Sequence, residues 1–221
     1  MTLDFTPVWH GFPRLLEGAL VTVEVTMAAM LVSAAVGLLV GIVRLNPERR
    51  VAYGLASSYV AFIRGTPLLV QLFILFFGLP QFGILLPATA CGILGLGIYS
   101  GSYVSEVVRG AIQSIEAGQT EAARSLGMSR AQAMRKVVLP QAFRRMLPPL
   151  GNEAIALIKN SALVSLLTID DVMREGQRII STSFRALETY LVVALIYFVL
   201  TNAANQVLRY LERRMQVERS R

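Results

Sequence analysis

Residues 121–127, Glu121-Ala122-Ala123-Arg124-Ser125-Leu126-Gly127, form a polar island between two long apolar runs, and Leu139-Pro140 punctuates the chain a little further on. Thr120 can serve as N-cap, and Glu121 puts negative charge on the positive end of the dipole, so a helix is expected to open here. Gly127 ends it, because a residue without Cβ enters the left-handed conformation cheaply. Ser129-Arg130-Ala131-Gln132 reads as a capping box that opens a second helix. Pro140 is expected to stop that one, since it lacks the N–H and biases Leu139 away from helix. Leu126, Met128, Met134 and Val137 project from these turns. A largely apolar chain thus holds out a compact helix–turn–helix with a small apolar face, shaped as a knob for a partner's groove.

Glu-Ala-Ala, then Gly four residues after the last Ala, then Leu-Pro downstream resembles the signature loop of ABC-importer membrane subunits. More narrowly, Arg64-Gly65-Thr66-Pro67-Leu68-Leu69-Val70-Gln71, Leu139-Pro140-Gln141-Ala142 and Leu147-Pro148-Pro149-Leu150 resemble the polar amino acid permeases of that superfamily. The similarity runs from about Gly11 to Arg214. It implies an all-α membrane protein with the type I ABC importer transmembrane-domain fold, multi-pass in the bacterial cytoplasmic (inner) membrane. It also implies the partners: two ABC ATPase subunits, a second permease subunit, identical or related, and an extracytoplasmic substrate-binding protein. Glu121, Ala122, Ala123 and Gly127 occupy the positions that meet the ATPase groove, with Leu126 and Met134 beside them, in a coupling loop over about residues 117–140.

Composition agrees with a membrane protein. The chain has 221 residues, of which 54% are hydrophobic and only 16% charged, where a soluble domain averages nearer a quarter charged. Its mean hydropathy is +0.57, and the apolar residues fall in membrane-length runs. The net charge of +7 would suit nucleic acid, but membrane-length segments interrupt the basic residues and no aromatic-rich basic platform accompanies them. They read as topology signals, and membrane lipid rather than nucleic acid is the expected surrounding. The single Cys91 excludes an internal disulfide and a cysteine-based zinc site. Asp4, with no basic region ahead of an apolar core, does not read as the start of a cleaved signal peptide.

In chain order, residues 1–19 form an interfacial lead-in with Trp9 as a belt residue. Residues 20–221 form the transmembrane domain, with spans expected at about 20–43, 53–79, 88–112, 148–167 and 189–208. Gly37-x-x-x-Gly41 permits close helix approach, and Gly92, Gly95, Gly97 and Gly101 point to packing in the third span. Gly65-Thr66-Pro67 is expected to break the second span. Pro148 and Pro149 open the fourth, where a first-turn proline is tolerated. Five spans put the termini on opposite sides. Arg44, Arg49, Arg50, the arginines from 109 to 145 and the tail arginines (Arg209, Arg213, Arg214, Arg219, Arg221) collect on one side. Arg14, Arg174, Arg178 and Arg185 lie on the other. The positive-inside rule puts the island and C-terminus in the cytoplasm and the N-terminus outside.

No Gly-x-x-x-x-Gly-Lys-Ser/Thr loop is present, so the chain itself binds no cofactor, and ATP and Mg2+ belong to the ATPase partner. Ionisable residues at membrane depth are costly and mark sites. Arg64 and Lys159 are the deep cations. Arg64 either forks onto a substrate carboxylate or pairs with Glu106 or Glu153 and locks helices. Backbone N–H groups freed at Gly65-Thr66-Pro67 would also attract an anion. Asn152, Glu153 and Asn160, at spacings of seven or eight, share a face of the fourth span, and Thr66, Gln71 and Tyr103 complete the expected substrate pocket. Where the family usually reads Lys-Asp-Thr/Ser-Ser-Leu, this chain has Lys159-Asn160-Ser161-Ala162-Leu163. Losing that carboxylate favours a neutral or acidic polar amino acid, glutamine ahead of arginine or histidine, with Glu153 as a remaining counter-charge. A secondary transporter or channel without an ATPase is the rival reading. It lacks two inverted halves and leaves the knob unexplained. An intramembrane hydrolase lacks a base, since the only histidine, His10, lies outside the spans, and there is no metal-ligand cluster.

Overall fold

The structure, a computed structural model, describes residues 3–215; the tail residues Arg219 and Arg221 lie outside them. Every regular element among the described residues is helical. The longest is α1 (Thr6–Val43), 38 residues and therefore about 57 Å. It runs unbroken through Pro13 and past residue 19, so the lead-in and the first span are one helix. α2 (Arg50–Gly65) follows a short basic turn. α3 (Leu68–Phe73) continues through a π turn (Ile74–Gly78) and a 3-10 turn (Leu79–Phe82). α4 (Ala88–Gln113) then returns to the basic end.

The expected break of the second span is present. Thr66 is extended at φ −122° and ψ 147°, Pro67 caps α3, and the two helices meet at 108°. Proline forces the preceding residue out of helix, and Gln71 repairs the damage. Its Nε2 donates to the Ile63 carbonyl (2.9 Å), the Thr66 carbonyl (3.2 Å) and Thr66 Oγ1 (2.8 Å). Thr66 in turn donates its hydroxyl to the Phe62 carbonyl at 2.9 Å.

α1 and α4 form the main seam, and small residues set its closeness. A Cβ on Gly97 would sit 2.6 Å from Val32, so only glycine fits there. Leu72, Leu96, Leu157 and Leu167 are fully enclosed where α3, α4 and α7 close on this pair.

α5 (Ala117–Ser125) and α6 (Arg130–Ala133) carry the island, and a π turn (Met134–Val138) leads straight into α7 (Leu139–Asn160). Three sequence expectations are corrected here. α5 opens at Ala117, capped by the backbone of Glu116 rather than by Thr120. Pro140 does not stop the helix, because the wide π turn before it shifts the Lys136 carbonyl that the ring would otherwise strike. Pro148 and Pro149 lie inside α7 instead of opening it; Arg144 and Arg145, whose carbonyls lose their donors, are exposed. A 3-10 turn (Ser161–Leu167), α8 (Val172–Ser183) and α9 (Ala186–Arg214) complete the chain.

α1, α4 and α9 are long and apolar enough to cross a membrane, and the bent pair α2–α3 passes the same test together. Leu45, at one end of α1, packs with Val108, Val138 and Met146 beneath the island, while Val8 and Leu15 at the other end pack on α8 and α9.

Candidate functional site

The island is a rigid knob. Gly127 adopts φ +84°, with its N–H on the Arg124 carbonyl (2.9 Å) and the Met128 N–H on the Ala123 carbonyl (3.2 Å). These two bonds make a Schellman cap. The Ser129–Gln132 capping box is reciprocal, Ser129 N–H to Gln132 Oε1 at 2.9 Å and Gln132 N–H to Ser129 Oγ at 3.2 Å. Below, Arg145 Nη1 donates to the Ser114 carbonyl at 2.6 Å, which ties α7 to the root of the island. Ala123 and Ala133 face inward and seal the knob, so Ala123 serves its packing rather than its outer surface. Glu121, Ala122, Gly127 and Leu126 face outward, Leu126 at 81% exposure, and Met134 stands partly exposed beside them.

The polar residues expected to form one pocket are distributed along a seam. Glu153 accepts from Ser100 Oγ at 2.9 Å, and Ser33 Oγ donates to Ser100 at 3.0 Å, so one carboxylate is wired across α7, α4 and α1. Tyr99 and Tyr103 share a hydroxyl–hydroxyl bond of 3.1 Å on the same side of α4. The Arg64 guanidinium lies over the Tyr103 ring at 5.0 Å and 3.8 Å from Glu106 Oε1, with 45% of its side chain exposed. Arg64 is therefore linked to Tyr99 through Tyr103, while Glu153 is held separately by Ser100. Asn152 is exposed and Asn160 half-buried, and neither side chain makes a hydrogen bond among the described residues. Lys159 is likewise exposed and unpaired. Gln71 and Thr66 spend their donors on the bend.

Glu106 is the partner of three cations. Arg44 Nη1 lies 2.5 Å from Oε1, Arg109 Nη2 lies 2.7 Å from Oε2, and Arg64 stands further off. Of the two carboxylates weighed as Arg64's partner, the structure supplies Glu106. Arg64, in the last turn of α2, lies beside Glu106, which is seven residues from the end of α4 and so about 10 Å from it. Arg64 therefore sits nearer the basic end than its place in the second span suggested. Sequence reading missed Ser33, Ser100, Tyr99 and Arg44. The available signal was the run of small polar residues opposite one another on α1 and α4. Among the described residues, no group of His, Cys, Asp or Glu is arranged to hold a metal ion.

At the other end of α1, Asp171 is fully buried and caps α8 by accepting the Arg174 N–H at 2.8 Å. Burial pushes its carboxyl up to about 6.

The family described as "Binding-protein-dependent transport system inner membrane component" matches residues 26–217. The glutamine transport system permease protein GlnP of Escherichia coli (strain K12) is 40% identical over 220 residues, 98% of this chain and 100% of that one. The arginine transport system permease protein ArtQ of Bacillus subtilis (strain 168) is 33% identical over 217 residues, 98% and 99% of the two chains. A solved amino acid ABC transporter with histidines has a chain that superposes with a TM-score of 0.90 at 42% identity, covering 97% of this chain and 100% of that one.

Proposed function

We infer the function from one premise: this chain belongs to the binding-protein-dependent transport system inner membrane components. It is the permease subunit of an ABC importer for amino acids, a multi-pass inner-membrane protein with the type I importer fold. Its family works with an ABC ATPase and a substrate-binding protein.

The chain crosses the membrane five times, with the bent pair α2–α3 as the second crossing and α7, about 33 Å long, as the fourth. The N-terminus is outside and the C-terminus cytoplasmic. The separation of Arg44, Arg109 and Arg145 from Arg14 and Arg178 by the length of α1 supports this orientation. Two permease chains and two ATPases make the complete pump, and the ATPases hold ATP and Mg2+ while this chain holds no cofactor. The outward residues of the knob, Glu121, Ala122, Leu126, Gly127 and Met134, enter the ATPase groove. Ala123 holds that surface in shape. The single observation that carries the coupling role is the pairing of an 81% exposed Leu126 with a left-handed Gly127 on a doubly capped, rigid loop. A tip held rigid in this way loses little conformational entropy on docking, which suits a protein contact.

The translocated solute is a polar amino acid that passes the seam of Arg64, Tyr103, Glu153, Asn152 and Asn160, with Thr66 and Gln71 shaping its bend. Arg64 is half exposed and held by two weak contacts, which suits a guanidinium that changes partner from Glu106 to a passing carboxylate. Asn160, in place of the usual aspartate, puts glutamine ahead of arginine. The name of the 40% identical permease points to glutamine and that of the 33% identical one to arginine. Uptake of labelled glutamine into cells dependent on this chain should be competed by excess glutamine at least about tenfold better than by arginine. Stronger competition by arginine would overturn the ordering.

A further inference from the structure

A recess of about 520 Å³ lies between α1, α7 and α9, apart from the polar seam, and its walls are apolar but for Thr22 and Thr26. Thr26 Oγ1 donates to the Thr22 carbonyl at 2.7 Å, and Thr22 Oγ1 accepts the Val172 N–H at 3.3 Å, so both hydroxyls serve the protein's own backbone. Such walls offer water no partners and suit an apolar occupant. At the outer end α1 and α9 close on α8 through Leu15, Val172 and Val193. Toward the basic end α1 and α9 part, and α7 forms the floor with Leu147, Gly151 and Ala154. A Cβ on Gly151 would strike the Leu208 side chain, so glycine lets α7 and α9 touch along this floor.

The dimensions and the charge of the mouth identify the occupant. The α9 wall runs from Leu200 to Leu211, about 16 Å, which is about half the hydrocarbon thickness of a bilayer. One turn past the recess, the same stripes carry Arg144, three residues before Leu147 on α7, and Arg214, three residues after Leu211 on α9. Both are exposed, and neither makes an ion pair or a side-chain hydrogen bond among the described residues. The first turns of α7 carry Arg144 and Arg145 and no acid, and the end of α9 sets Arg209, Arg213 and Arg214 against Glu212 alone. The mouth is therefore basic and the interior apolar.

We propose that this recess seats an acyl chain of an anionic phospholipid of the cytoplasmic leaflet, whose phosphate lies between Arg144 and Arg214. The leaflet rests on the reading of the C-terminus as cytoplasmic. A second copy of the chain does not suit this face. A two-fold axis along the membrane normal would set Arg144 and Arg214 against their own images at one depth. Seated there, the lipid braces α9 against α7, the helix that continues from the knob.

The test is lipid binding to the delipidated permease–ATPase complex in detergent, counted by native mass spectrometry. Dioleoyl phosphatidylglycerol and dioleoyl phosphatidylcholine are used in separate arms. The wild-type complex should retain phosphatidylglycerol at least about tenfold more tightly than phosphatidylcholine. Ala204→Phe, which fills the recess from its α9 wall, should remove that lipid. Arg144→Gln combined with Arg214→Gln changes two exposed side chains, so the fold is kept. It should leave a lipid in place and abolish the preference between headgroups, a result that decides the matter even where Ala204→Phe fails to fold. A wild-type complex that retains neither lipid, or both equally, would overturn the seat. So would variants that bind as wild type does. Disulfide formation between two Val207→Cys permease chains in native membranes would also overturn it, by placing a second copy on this face. Binding in detergent needs neither transport nor orientation, so a complex that imports amino acids but retains no phosphatidylglycerol rejects the lipid seat only. Retention of the lipid by a protein whose knob proves to face outward would reject the orientation, and the leaflet with it.

Discussion

Gly127→Glu is expected to lower ATP-driven uptake by about a hundredfold or more, while the protein still inserts and folds. A docking loss near 3 kcal/mol at the centre of a protein contact has that effect. Two causes add. The residue stands at φ +84°, where a side chain costs about 1–2 kcal/mol. The new carboxylate also projects into the surface that Leu126 presents to the ATPase. No atom lies within 4 Å of where its Cβ would be, so nothing inside the permease is displaced. Gly127→Asn separates the causes, because asparagine visits the left-handed region and carries no charge. It should keep most of the uptake. The assay is uptake in cells, with membrane extraction and thermal unfolding as the control for folding. A Gly127→Glu permease that still drives uptake from ATP would show that this tip does not meet the motor.

The second large effect concerns Glu106. Replacing it with alanine removes the acceptor for Arg109 and for Arg44, whose side chain is only 11% exposed. It also leaves Arg64 beside two unneutralised guanidiniums. Breaking a largely buried pair on one side costs about 3 kcal/mol, enough to lower the apparent Tm of the detergent-solubilised protein by several degrees. Arg44→Leu combined with Glu106→Leu should recover part of that loss, because it removes both charges and keeps the volume. Equal unfolding of Glu106→Ala and wild type would show that the three arginines do not depend on this carboxylate.

How much of this was legible in the sequence follows from how local each feature is. The cap at Gly127, the box at Ser129–Gln132 and the bend at Thr66-Pro67 depend on residues at most a few positions apart, and each is where the residues put it. The small-residue seam was visible on both helices, because Gly37 and Gly97 have no other use at those positions. Helix limits were less legible. Pro140 and Pro148 look like boundaries by their own chemistry, but a π turn and exposed carbonyls absorb them. Least legible was the Glu106 cage. Arg44 before α2, Arg64 at the end of α2 and Glu106 in α4 come together only through tertiary packing, which no spacing rule contains.

The central claim is that residues 117–138 face the cytoplasm and are pushed by a separate ATPase. Cys91 is 2% exposed, so a single Leu126→Cys substitution gives one accessible thiol. In sealed vesicles, a membrane-impermeant maleimide should label that thiol only when the cytoplasmic face is outward, and assembly with the ATPase should block it. Labelling from the outer face of right-side-out vesicles would contradict the account.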